Sequence, residues 1–163
     1  MSSNQDEVGF LQQAIRLAVD NAAAGRLPFG AVIVRAGEVL ATGVNTEQRD
    51  SDPTAHAEVA AIRNACGAVG STRLPGAAVY SSCEPCAVCQ TVSAAAEVTG
   101  IVYAAPRELV PDLGNAGSAE IGALLGRMQA DVRSLAPDRV THVPVEGAAE
   151  PFERFLDYRS RTP

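Results

Sequence analysis

The sequence contains no lysine: all 13 basic side chains are arginine, and 19 aspartates and glutamates outnumber them, for a formal charge of −6. A chain of that sign repels a phosphate backbone on average, so nucleic acid is a disfavoured partner. Long apolar runs are missing as well. None approaches the ~20 residues that span a bilayer, which excludes a transmembrane helix. The opening residues, Met1 to Glu7, have neither the basic start nor the apolar stretch of a secretory leader. The expected location is therefore cytoplasmic. Cysteine is scarce, with four in 163 residues, and three of them (Cys83, Cys86 and Cys89) crowd into one short stretch. Such crowding is unlike a disulfide framework and points to metal chemistry in a reducing compartment. Without repeats or low-complexity tracts, the chain reads as a single domain over 1–163.

Apolar side chains at Val8, Leu11, Ile15, Ala18 and Ala22 recur at a helical period, predicting a helix over 6–24 that stops before Gly25. Two β-rich runs, 29–34 and 38–44, flank Arg35-Ala36-Gly37 and predict a hairpin whose second strand delivers Asn45 to its far end. A polar loop over 46–54 then leads into a helix over 55–68, with the Thr54 hydroxyl expected to cap it. Further on, the pattern predicts strands at 77–81 and 99–104 around a helix at 86–96. A helix at 120–128, a strand at 139–145 and a helix at 150–159 complete the chain. Strands alternating with helices imply an α/β fold, its sheet covered on both faces and partly parallel.

The chemistry concentrates in two motifs. His56-Ala57-Glu58 is followed, roughly 30 residues later, by Pro85-Cys86-Ala87-Val88-Cys89, the H-x-E…P-C-x-x-C pattern of zinc deaminases. One imidazole and two thiolates suit Zn2+, one ion per subunit, and three protein ligands leave a fourth tetrahedral position for water. Cysteines three apart at a helix start share a face, and the positive end of that helix favours their thiolates. Glu58, two residues from a ligand, is placed to take a proton from the water and pass it on. The reaction so implied is attack of zinc-bound hydroxide on an amino-bearing ring carbon, giving an oxo product and ammonia. A closed Cys₃His set including Cys83 is the alternative, and would make the protein a non-catalytic, zinc-stapled binding domain. Glu84 is expected to cap the helix that follows it or to interact with its dipole, and Cys66 and His142 to be structural.

Three segments, Pro28-Phe29-Gly30-Ala31, Asp52 to Glu58 and Ser82 to Cys89, resemble the cytidine deaminase superfamily, particularly its bacterial guanine deaminase and tRNA adenosine deaminase branches. The resemblance implies a three-layer α/β/α fold around a five-stranded mixed sheet. It assigns zinc to His56, Cys86 and Cys89 and proton transfer to Glu58. It places Phe29 against the substrate base and Asn45 on its polar edge, with a backbone amide near Ala57 completing the pocket. Tyr80 to Cys86 and the Pro151-Phe152 tail favour the guanine deaminase pattern. A guanine-like free purine is the expected substrate; cytosine, modified or damaged bases and amino-triazines are alternatives. A tRNA adenosine substrate is a further one, weakened because Ala104-Ala105-Pro106-Arg107-Glu108 stands where those enzymes carry Gly-Ala-Arg-Asp and a basic stretch. Within the loop 106–118, Asp112 or Asn115 is expected to read the purine edge. The resemblance also implies a homodimer in which the tail, 146–163, is exchanged between subunits, making Phe155 and Tyr158 candidate lid residues.

Overall fold

In the computed structural model, which describes residues 4–162, the helical period of the first segment produces α1 (Asn4–Ala23). Leu11, Ala14, Ala18 and Ala22 are fully buried along one stripe. Of the single-domain expectation, residues 1–3 and 163 lie outside the described residues. The hairpin forms as β1 (Gly30–Arg35) and β2 (Glu38–Val44). Ala36 and Gly37 both take positive φ, 52° and 81°, the pair that lets a two-residue turn match the twist of its strands. Then come α2 (Glu47–Asp50), α3 (Ala57–Val69), β3 (Ala77–Cys83), α4 (Ala87–Ala95) and β4 (Ile101–Ala105). The chain ends with α5 (Ala119–Leu135), β5 (Val140–His142) and α6 (Glu150–Arg161).

The five strands form one mixed sheet in the order β2-β1-β3-β4-β5. β1 is antiparallel to both neighbours, whereas β3, β4 and β5 run parallel. Along β1 the side chains alternate between two cores. Ala31 and Ile33 pack with α3, while Val32 and Val34 pack with α1. Both faces are therefore covered, with α1 and α6 on one side, α3 and α4 on the other, and α5 against α4. Gly43 on β2 permits this spacing: a β-carbon there would run into the backbone of Ala57 and Ala61, so only glycine lets the start of α3 sit so close to the sheet. None of the described helices is long and apolar enough to cross a membrane.

Five expectations need correction. The Thr54 hydroxyl does not cap α3: its hydroxyl and backbone N–H both donate to the Asp52 carboxylate, at 2.7 and 2.8 Å. An Asp-Pro-Thr sequence satisfies its own turn first, and the cap position passes to His56. The loop over 46–54 contains a one-turn helix, α2. α5 extends seven residues past 128, and the fifth strand shortens to Val140–His142 because Pro144 has no N–H for a further ladder bond. Glu84 does not cap α4. It accepts from the Arg107 backbone N–H at 3.1 Å and lies 4.0 Å from the Arg133 guanidinium, so it ties the loop after β4 to α5.

Candidate active site

Two helix starts converge at one edge of the sheet. His56 is the N-cap of α3 and Cys86 the N-cap of α4, each with extended backbone. Both helices thus aim unsatisfied N–H groups and the positive end of a dipole at the same point. Cys89 sits three residues into α4, on the same face as Cys86. The Pro85 carbonyl just ahead accepts from Gln90 at 3.2 Å and Gln129 at 2.8 Å, so α5 anchors the loop that carries Cys86.

The donor atoms form a nearly equilateral triangle. His56 Nδ1 lies 3.4 Å from Cys86 Sγ and 3.5 Å from Cys89 Sγ, and the two sulfurs are 3.6 Å apart. Tetrahedral zinc with ordinary Zn–S and Zn–N bonds requires about 3.8 Å between sulfurs and about 3.6 Å between sulfur and nitrogen. The residues present therefore fit zinc. Among the described residues this is the group that could share one ion, and Cys83 is not in it. Cys83 lines the same cavity, but its sulfur is not among the donor atoms that lie within 4.8 Å of one another, and burial pushes its thiol up to about 12. Cys83→Ser should consequently retain one zinc per chain by metal analysis; release of the metal would revive the closed Cys₃His set.

Glu58 is buried, 6% exposed, in the first turn of α3. The Ser81 hydroxyl donates to its Oε1 at 2.8 Å, and its Oε2 lies 3.3 Å from Cys89 Sγ. Burial raises its carboxyl above the usual carboxylate range, a poise suited to receiving a proton. Without metal, a hydrogen bond from the Cys89 thiol holds Cys86 down to about 4, while the same contact keeps Cys89 protonated. His56 is raised to about 10, chiefly through its contact with Cys86 and then with Glu47.

A cavity of about 400 Å³ opens over this cluster. Phe29, Asn45, Ala57 and Asn115 line it. Phe29 is braced edge-on by Phe152, with ring centroids 6.1 Å apart. Asn45 has its carboxamide engaged by Glu47 on both ends. Three expected contacts are not at the cavity. Asp112 turns back to accept from the Gly114 N–H at 2.8 Å. Phe155, 4% exposed, is packed with Ala22, Leu27 and Leu113, because α6 docks on α1 of its own chain. Tyr158 lies against Gly25 on the same helix pair. His142 is structural as expected, donating to the Ala104 carbonyl at 3.0 Å and stacked on Tyr103.

Four residues of the site went unnoticed in the sequence: Glu47, Ser81, Arg107 and Val110, three lining the cavity and one holding Glu58. An acid two positions after a suspected substrate contact was a usable signal for Glu47. The others carry none.

Comparison with known proteins agrees with this geometry. Over 97 residues the chain is 45% identical to guanine deaminase of Bacillus subtilis, and over 96 residues 40% identical to a tRNA-specific adenosine deaminase of Agrobacterium fabrum. These stretches cover 59% of this chain and 62% and 63% of those proteins, so the match spans less than two thirds of the relatives' length. The crystal structure of guanine deaminase from Bacillus subtilis superposes with a TM-score of 0.61 at 30% identity, covering 99% of both chains. Residues 4–105 match the cytidine and deoxycytidylate deaminase zinc-binding region, and with the donor triangle of His56, Cys86 and Cys89 inside that span, the chain belongs to this zinc-binding deaminase family.

Proposed function

We propose that the protein is a zinc-dependent aminohydrolase of a free nucleobase, with a guanine-like purine as its substrate. The observation that carries this reading is the buried Glu58 carboxyl, 3.3 Å from Cys89, beneath a cavity lined by an aromatic ring and two carboxamides. His56, Cys86 and Cys89 would hold the zinc, which when bound would let a water ionise near neutral pH. Glu58 would take the water's first proton at Oε2, while Ser81 holds Oε1, and pass it to a ring nitrogen; it would then carry the second proton, from the newly added hydroxyl, to the amino group that leaves as ammonia. Phe29 offers its face to the base. Asn45 and Asn115 meet polar edges, and the Ala57 N–H, at the first position of α3, has no acceptor within its own helix. A cavity near 400 Å³ lies at the small-molecule end of the range for ligand sites, which supports a free base. The acid-rich lining, with Glu47, Glu58 and Glu84 against Arg107, gives little attraction for a phosphate backbone.

Ammonia release should be measured for the zinc-loaded protein against guanine, other aminopurines, cytosine, amino-triazines and tRNA. Turnover is expected on the free bases and highest with guanine-like purines. Inactivity on every free base would end this reading. Turnover on tRNA alone would replace it with the second one, a base flipped out of RNA, which the 40% identity to a tRNA-specific adenosine deaminase favours.

The protein works as a homodimer in this proposal, with the contact on α5. Ile121, Leu125 and Met128 are 48%, 55% and 48% exposed at helical spacing, and Leu124 on the same helix and Val88 on the neighbouring α4 are 37% and 40% exposed. A second copy of the same face would cover them, and in the exchanged-tail dimer α6 would make its contact with α1 of the partner copy in place of the contact it makes within this chain. Leu125→Asp is expected to convert a dimer to a monomer in sedimentation equilibrium. A wild-type protein that is monomeric at high micromolar concentration would contradict this.

A further inference from the structure

Glu47 touches both halves of the site. Its Oε1 lies 3.5 Å from His56 Nε2, on the ring edge opposite the Nδ1 that faces the two thiols. Its Oε2 accepts from Asn45 Nδ2 at 2.6 Å, and its backbone N–H donates to Asn45 Oδ1 at 3.1 Å. The imidazole separates its carboxylate from the donor triangle, so Glu47 is outside the ligand set. The segment is held from both sides: Asn21 Nδ2 donates to the Asn45 carbonyl at 2.9 Å, and the Thr46 hydroxyl donates to Asp50 at 2.7 Å across α2. With both side chains about one-quarter exposed, the Glu47–His56 pair is not bathed in solvent.

A neutral imidazole has one donor and one acceptor nitrogen. A carboxylate on the Nε2 side draws the ring proton there and leaves the Nδ1 lone pair for metal, and partners of this kind orient the ring and raise its basicity as a ligand. The same carboxylate fixes the Asn45 carboxamide so that its amino group and carbonyl hold defined directions at the cavity wall.

We infer that Glu47 is a positioning residue that couples the metal site to substrate recognition, holding His56 with Nδ1 toward the metal and Asn45 in its base-reading rotamer. The inference rests on the zinc reading of His56, Cys86 and Cys89, and deepens it.

The test is zinc competition against a chromophoric chelator for the wild type, Glu47→Gln and Glu47→Ala, alongside thermal melts of each metal-free protein. Glu47→Ala is expected to weaken zinc about 10- to 100-fold, the usual cost of losing such a partner. Glu47→Gln keeps an acceptor without the charge and should fall between the two. In the wild type, a long-range proton–nitrogen spectrum of His56 should show Nε2 protonated with zinc bound, and KM should rise in Glu47→Ala beyond any loss of kcat in zinc-saturated protein. Unchanged chelator competition in both variants would overturn the inference, as would a lower melting temperature with zinc affinity intact, the mark of a merely structural residue. Failure of the wild type itself to bind one zinc would instead overturn the metal-site reading.

Discussion

Glu58→Gln is expected to lower kcat by about 10²- to 10⁴-fold, the range for a lost acid–base group, while the protein still carries its zinc. The substitution is nearly isosteric and keeps an acceptor for the Ser81 hydroxyl, so the first turn of α3 should stay where it is. Among the described residues, it removes the one buried carboxyl, which stands next to the donor triangle. Metal should be retained because a neutral amide beside Cys89 repels its thiolate less than a carboxylate does. Steady-state kinetics with metal analysis on the same sample reads both outcomes. Full turnover with zinc in place would remove Glu58 from the mechanism, and with it the assignment of proton transfer to this side of the cavity.

Zinc affinity is expected to fall about 100-fold for each unit of pH below neutrality, since metal must displace every proton its ligands carry. Without metal, His56 and Cys89 are both protonated at pH 7, His56 because its pKa is raised to about 10 and Cys89 because Cys86 holds the thiolate. Two protons therefore leave on binding, and each contributes a factor of about ten per pH unit. Cys86, lowered to about 4, adds a third only in stronger acid. The metal-free fold responds with the opposite sign. A histidine whose pKa rises on folding stabilises the folded chain while it is protonated, and that contribution is lost as pH climbs through about 10. Competition with a chelator of known proton affinity between pH 5.5 and 8 measures the slope. A pH-independent affinity would mean that the imidazole and the second thiol are not ligands.

The donor set and the acid were legible because their signals are local. His56 and Glu58 are two apart, and Cys86 and Cys89 three apart, at helix starts marked by Pro53 and Pro85. Those spacings hold wherever the helices dock. The hairpin was legible for the same reason, through a turn that two adjacent residues specify. Expectations placed on side-chain caps fared worse. Thr54 and Glu84 each had a nearer or stronger partner, Asp52 in one case and the Arg107 amide in the other. The lid residues were carried over by resemblance rather than by a local signal; within this chain Phe155 packs beside Leu113.

Chain order alone thus determined which atoms can hold the metal and which carboxyl stands next to it, because helical geometry over two or three residues fixes both. Only the tertiary structure decided what surrounds them. Ser81 meets Glu58 across 23 residues and Gln129 meets Pro85 across 44. A hydrogen bond tolerates only a few tenths of an ångström. Such contacts depend on strand register and on how closely α3 approaches the sheet over Gly43, quantities that no short motif encodes.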